Sequence, residues 1–283
     1  MPEIVEKLRR LSVQRKSGSL IEPNIDPLNF ARKSTKYWVE LSNLESVVNL
    51  IEPHLPVNIA PGQEHEWQTI SSVYFDDEAH ETYARRVAKQ DGASLHRIRW
   101  YGDGAAQHLY VERKVHRVET ESIKERFPLP AEDVEAFLSG ELHPTLTKRP
   151  ELAEAIQSAV LDRDRRLSPT VRTTYSRCAF QLETSNDVRV TVDANLLFSR
   201  ESGKGVFGEQ LQVEDYVEFP FAVLEVKLAG ASVEQPPDWL VGLVESGLCT
   251  KANKFSKFAT GAYALMSAEE RVIAEQPAQY GLP

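Results

Sequence analysis

Arg and Lys recur at every second position through several short segments of this chain. Arg97-Ile98-Arg99 is one, and Glu112-Arg113-Lys114 is another. Ile123-Lys124-Glu125-Arg126, Val188-Arg189-Val190 and Leu224-Glu225-Val226-Lys227 follow. A period of two marks a β-strand, because successive side chains on a strand point to opposite faces. Most of these segments therefore set cations on one face, with Val, Ile or Leu on the other. The chain as a whole is acidic, with 42 Asp and Glu against 33 Lys and Arg and a net charge of −9. An acidic protein that gathers its cations on one surface is building a site for a polyanion.

The remaining composition narrows the class. With 283 residues, 41% hydrophobic and 27% charged, the chain reads as a soluble globular protein of one large or two ordinary domains. The acidic balance argues against a general nucleic-acid binder, which carries a basic domain. Cys178 and Cys249 have no partners at metal-ligand spacing and read as reduced core thiols of a cytosolic protein. No stretch approaches the roughly 18 apolar residues of a membrane span, and the N-terminus lacks a hydrophobic signal core. Any membrane anchor is expected outside this chain.

Residues 1–30 read as a lead-in, 31–272 as one domain and 273–283 as a polar tail. Strands are expected from Ala31 through Val39, Ile70 to Phe75, His96 to Tyr101, His108 to His116, Glu121 to Phe127, Thr170 to Glu183, Asp187 to Asp193 and Phe219 to Leu228. Helices are expected over Asn43 to Leu55, in pieces across 131–166, from Pro236-Pro237-Asp238 through Val244, and from Lys251 to Val272. Another, of about 13 residues, is expected after a cap at Asp76 or Asp77. Residues 199–218 read as an exposed loop. The sum is α+β: about eight strands in antiparallel order, interrupted by helices.

The polar faces can be read strand by strand. Arg32, Ser34 and Lys36 align, as do Arg97, Arg99 and Tyr101. Tyr110, Glu112, Lys114 and His116 share a face, and Lys124 pairs with Arg126. Arg172 aligns with Thr174 and Ser176, Arg189 with Thr191 and Asp193, and Glu225 with Lys227. Antiparallel sheets often wet one side, so each face alone can be a solvated one. Two features favour convergence instead. Arg is abundant, and it suits bidentate phosphate recognition. The chain also supplies amphipathic helices able to cover the apolar side of a curved sheet, leaving the charged side to line a channel. Glu112 and Glu225 then read either as ligands for a hard divalent cation held beside phosphates or as ion-pair partners of Lys114 and Lys227. There is no Walker A sequence, Rossmann fingerprint, kinase signature or zinc cluster. Near the end, Lys254 and Lys257 share a side of the expected last helix, and Phe255 and Phe258 share its neighbour.

Several of these segments are similar to motifs of the vacuolar transporter chaperone (VTC) family. They are Thr35-Lys36-Tyr37-Trp38-Val39, Ser72-Val73-Tyr74-Phe75-Asp76, His96 to Gly102, Val111-Glu112-Arg113-Lys114, Tyr175 to Gln181, Phe221 to Lys227 and Lys254 to Phe258, in order from about residue 30 to 265. The resemblance implies a triphosphate tunnel, a closed antiparallel β-barrel with flanking helices. It implies a polyphosphate polymerase that transfers the γ-phosphate of ATP to a growing inorganic polyphosphate chain, with a divalent metal, usually manganese and alternatively magnesium. By the same resemblance Lys36, Arg97, Arg99, Lys114, Lys124, Arg172, Lys254 and Lys257 hold phosphates and Glu225 holds the metal. Arg177, Arg189, Lys227 and Ser256 are further candidates. Arg97, Arg99, Lys114, Arg172 and Glu225 form the expected catalytic set.

The related CYTH triphosphatases and class IV cyclases carry Glu-x-Glu-x-Lys on the first strand, where this chain has Arg32, Ser34 and Lys36. Two metal-binding carboxylates are thus missing, which favours chain extension over metal-activated hydrolysis. Family members join an SPX domain and a membrane region to this domain. The resemblance therefore implies a segment of a larger protein or a short member, in a hetero-oligomer with small membrane subunits at the cytosolic face of a vacuole or acidocalcisome. A non-catalytic polyphosphate-binding paralogue and a tunnel triphosphatase are the alternatives.

Overall fold

The computed structural model describes residues 32–59, 63, 65–103, 106–120, 122–201, 207, 216–253 and 255–273. The strands are β1 Arg32–Glu40, β2 Gln68–Asp76, β3 Ser94–Tyr101, β4 His108–Val115, β5 Ile123–Pro130, β6 Ser168–Gln181, β7 Val188–Arg200, β8 Val217–Glu218, β9 Phe221–Ala229 and β10 Cys249–Lys251. The helices are α1 Leu44–Ile51, α2 Glu81–Val87, α3 Val134–Ser139, α4 Pro150–Val160, α5 Asp238–Glu245, α6 Lys257–Leu265 and α7 Ala268–Ile273. The chain divides into two compact units, with β2, β6 and β7 each passing from one to the other.

The first unit holds residues 1–69, 175–196 and 219–253. Its strands lie in the order β10-β1-β9-β7-β6. The register sets Lys36 opposite Glu225 and Ser34 opposite Lys227; on the other side of β9, Thr191 faces Glu225 and Arg189 faces Lys227. One face is apolar: Val190, Val192, Leu224, Val226, Cys178 and Phe180 are buried there. Helices α1 and α5 cover it. Leu44, Val47, Val48 and Ile51 fall on one side of α1 at helical spacing and are all buried. The other face keeps the polar residues, as the period of two requires.

The second unit holds residues 70–174, 197–218 and 254–283. Its strand order is β6-β2-β3-β4-β5, with β8 paired to the end of β7. One sheet face buries Val73, Ile98, Trp100, Val111 and Phe127 against Phe137 of α3 and Ile156 of α4. Full burial of each such side chain stabilises by about 1.5–3 kcal/mol. The opposite face has its own smaller apolar group, in which Tyr74, Leu95 and Val171 pack under Tyr83 of α2 and Phe258 of α6. Helix α6 sits close because Gly261 has no Cβ; one built there would lie 2.6 Å from the Phe198 ring and 3.0 Å from Val171. That close approach fixes where the first residue of α6, Lys257, stands.

Several expectations need correction. Neither strand order returns to its start, so the strand pairing does not show a closed barrel; what it shows is a mixed fold with a large antiparallel sheet. The helix expected to Leu55 stops at Ile51, two residues before Pro53, and Asn43 stands at its N-cap without a side-chain cap bond. The helix after Asp76 has 7 residues. Its N-cap position is His80, not an aspartate; the two aspartates serve the turn from upstream, Asp76 accepting from the backbone N–H of Thr82 and Tyr83 and Asp77 from those of Ala79 and Glu81. The single last helix is a short strand, β10, followed by α6 and α7, with extended backbone at Met266 between the helices. In the loop expected at 199–218, Glu201 and Phe207 are buried and Val217–Glu218 form a strand. Both cysteines are free and buried. Among the described residues no helix is long and apolar enough to cross a membrane.

Candidate functional site

In the second unit, β3, β4 and β5 bring four cations to one carboxylate. The register sets Arg97 opposite Glu112 and Glu112 opposite Arg126. The Arg97 Nε donates to Glu112 Oε2 at 2.6 Å, and a second Arg97 nitrogen pairs with the same oxygen. The Arg99 Nε lies 4.0 Å from Oε2. Lys124 Nζ and Arg126 Nη1 lie 3.4 and 3.9 Å from Oε1. The Glu112 side chain is only 2% exposed. Burial pushes its carboxyl up, but Arg97, Arg99, Lys124 and the Arg97 hydrogen bond outweigh this and hold it at about 2. Burial first, then Arg97, Arg99 and Arg126, push the Lys124 ammonium down to about 7 against the pull of Glu112, although 46% of that side chain stays exposed and solvent screens part of the effect.

Neighbouring groups orient these cations. Tyr74 OH accepts from Arg97 Nη1 at 2.9 Å and Ser72 Oγ accepts from Arg99 Nε at 3.2 Å. Arg126 stacks over the Tyr110 ring at 4.6 Å. Lys114 stands exposed, directly opposite Lys124. Lys257 contributes to the positive field at the Tyr74 hydroxyl, and Ser256 is the N-cap residue of α6. Lys254 lies outside the described residues. The ion pair expected between Glu112 and Lys114 is replaced by cross-strand partners, because the register brings Arg97 and Arg126 alongside Glu112.

Arg172 does not join this group. Its guanidinium lies over the Trp100 ring at 5.0 Å, and Trp100 belongs to the apolar face with Ile98 and Val111. Its Nε donates to Glu201 Oε2 at 2.8 Å in a pair whose side chains are 4% and 2% exposed. The next residue on the same side of β6, Thr174, meets Ser71, which neighbours Trp100 across the strands. Arg172 thus faces away from Arg97 and Arg99.

In the first unit the polar face carries Lys36, Arg177, Arg189 and Lys227. Arg177 makes a two-point pair with Asp193, Nε to Oδ1 at 2.6 Å and Nη2 to Oδ2 at 2.8 Å. Glu225 accepts from Ser34 Oγ at 2.9 Å and lies 3.8 Å from Lys227 Nζ. Burial raises the Glu225 carboxyl, but Lys227, Lys36, Ser34 and Arg177 together bring it below the usual carboxylate range. Its side chain is 17% exposed, against 2% for Asp193. No group of three or more His, Cys, Asp or Glu able to hold a metal by themselves occurs among the described residues. One half-buried carboxylate beside a hydroxyl does fit a hard cation that takes its other ligands from phosphate oxygens and water.

Two roles escaped the sequence reading. Arg126 was seen as a neighbour of Lys124 but not as part of the site, and Asp193 was not seen as the partner of Arg177. A pairing register counted outward from the turns brings out the first of these.

The VTC domain model matches residues 31–266. The chain belongs to the VTC family. Vacuolar transporter chaperone complex subunit 4 of Schizosaccharomyces pombe is 36% identical over 269 residues, covering 82% of this chain and 37% of that protein. Subunit 2 of the same organism is 25% identical over 275 residues, with 82% and 37% covered. The chain thus spans little more than a third of the length of these curated relatives. A Hippeastrum protein, described as the putative adenylyl cyclase HpAC1 with a dominant triphosphatase activity, aligns over 84% of this chain and 98% of its own at 13% identity and a TM-score of 0.45.

Proposed function

We propose that this VTC domain is a polyphosphate polymerase that transfers the γ-phosphate of ATP to the end of an inorganic polyphosphate chain. The observation that carries the reading is the convergence of Arg97, Arg99, Lys124 and Arg126 within 4.0 Å of one buried carboxylate. Four cations around one anion leave an excess of positive charge that suits a bound polyanion. Membership of the VTC family supports phosphate as that polyanion.

Phosphoryl transfer asks little covalent help of a protein; it asks for in-line placement and neutralised charge. A terminal oxygen of the polyphosphate attacks the γ-phosphorus of ATP, the bond from that phosphorus to the bridging oxygen breaks, and ADP leaves. The nucleophile is anionic at neutral pH, so no general base is needed. In this reading Arg97 and Arg99 grip phosphate oxygens, while Lys124, Lys114 and Lys257 add charge around them. Lys36, Arg177, Arg189 and Lys227 hold phosphates on the face of the first unit, and Glu225, with Ser34 beside it, is the carboxylate for a divalent ion, manganese or magnesium. That ion, when bound, supplies positive charge to phosphate oxygens. Arg172 is assigned a structural role instead. Closure of the strands into a tunnel, assembly with small membrane subunits, and a place on the cytosolic side of a vacuole or acidocalcisome complete the proposal; they rest on the family resemblance and on relatives named as subunits of a complex.

Incubation of the protein with ATP and manganese should give ADP and polyphosphate, and Arg99→Ala or Glu225→Ala should abolish the product. Unchanged synthesis in both variants would sink the assignment. Release of orthophosphate from tripolyphosphate without chain growth would mark a triphosphatase, and binding without turnover a regulatory paralogue.

A further inference from the structure

Glu112 is the polar group of this face that phosphate transfer leaves without a task. Its chemistry excludes the usual ones. With Arg97, Arg99, Lys124 and Arg126 all within 4.0 Å, it has no room for a metal ion among like charges. Its carboxyl, held at about 2, cannot work as a base near neutrality. Nor is it a simple hydrogen-bonding strut. Oε2 is bonded to Arg97, but the buried Oε1 has no hydrogen-bond donor; Lys124 and Arg126 stand near it as charges. The contrast with Glu125, one residue along from Lys124, is direct: Glu125 Oε2 accepts from Arg113 at 2.6 Å in an ordinary pair on the other face.

The geometry points to Glu112 as a resident counter-anion, which stands in for phosphate oxygens among Arg97, Arg99, Lys124 and Arg126 and competes with an arriving polyanion for them. The inference rests on the reading of this face as a phosphate site. Two consequences follow from charge alone. Without a ligand, Glu112 relieves repulsion among four cations that β3 and β5 fix side by side. With a ligand, its negative charge weakens the grip, which suits a chain that must advance after each added phosphate. Lys114, opposite Lys124, belongs to the same field and has the same sign.

The test is the thermal midpoint of the protein and of Glu112→Gln, each with and without saturating sodium tripolyphosphate. Without it, Glu112→Gln should melt roughly 5–10 °C lower than the unchanged protein. With it, at least half of that deficit should vanish, and titration should show tripolyphosphate bound about tenfold more tightly by the variant. An equal deficit in both conditions, or none in either, overturns the inference while leaving the phosphate reading intact. A midpoint of the unchanged protein that tripolyphosphate does not move removes the phosphate reading, and the inference with it. Should Glu112→Gln not fold, Glu112→Gln/Lys124→Gln decides: removal of one cation should restore a cooperative melt, and failure of the double variant to fold contradicts the counter-anion role.

Discussion

On β3, β4 and β5 five cations, Arg97, Arg99, Lys114, Lys124 and Arg126, share a face with a single carboxylate, Glu112, that is 2% exposed. On β1, β6, β7 and β9 four cations stand with two carboxylates, and one of these, Glu225, is 17% exposed. Among the described side chains the first face therefore keeps four surplus positive charges and the second two. The difference is one of availability as well as number. Glu112 is enclosed by cations, and Asp193 is spent on both nitrogens of Arg177. Glu225 receives one hydroxyl bond and one loose lysine. A face of the first kind can only grip anions. A face of the second kind can grip anions and also share a divalent ion with them.

The sharpest way to break this comparison is to remove an arginine that belongs to neither face. Arg172→Met strands Glu201 as a buried, unpaired carboxylate and should cost about 3–5 kcal/mol of stability. Chemical denaturation should show the loss, while the folded fraction binds tripolyphosphate within about twofold of the unchanged protein. A large loss of affinity would return Arg172 to the phosphate site. Arg99→Ala should do the reverse. It removes a charge-assisted contact, costing about 2–3 kcal/mol of tripolyphosphate binding, or roughly 30- to 150-fold in affinity by titration calorimetry.

That pair of variants also shows what the sequence carried and what it hid. Alternation placed Arg97 and Arg99 opposite Ile98 and Trp100 correctly, because both sheet faces of β3 have clear chemistry. It failed on β6. Arg172 and Arg177 are five residues apart on one strand, so alternation cannot give both the same face; the apolar neighbours Cys178 and Phe180 share the parity of Arg172. Trp100 and Glu201, distant in sequence, make an arginine comfortable on the apolar side, and nothing local announces them. The break between α6 and α7 was equally hidden, since Ser267 opens the second helix with an N-terminal cap that reads in sequence as one more polar residue. Lys254, one of the expected cations, lies outside the described residues. The eight longer strands were legible; the short strands β8 and β10, the helix ends and the partner of each charge were not, and came from the register.

A smaller effect separates the faces by pH. Lys124, pushed down from its ordinary value of 10.5 to about 7, is charged below that pH and neutral above it. Anion binding favours the charged form, so tripolyphosphate affinity should fall as pH rises from about 6 to 8, by a factor of up to roughly ten. Lys124→Arg, charged throughout, should remove that fall relative to the unchanged protein under the same buffers. Equal pH profiles for the two would show that Lys124 keeps its proton.

The most direct test of the division between the two faces is the manganese dependence of tripolyphosphate binding, measured by calorimetry for the unchanged protein, Glu225→Gln and Glu112→Gln. Manganese should tighten binding to the unchanged protein and to Glu112→Gln, and should have no effect on Glu225→Gln. Loss of the manganese effect in Glu112→Gln, or its survival in Glu225→Gln, would contradict the assignment of the metal to Glu225 and with it the distinction between a face that only grips anions and one that shares a metal with them.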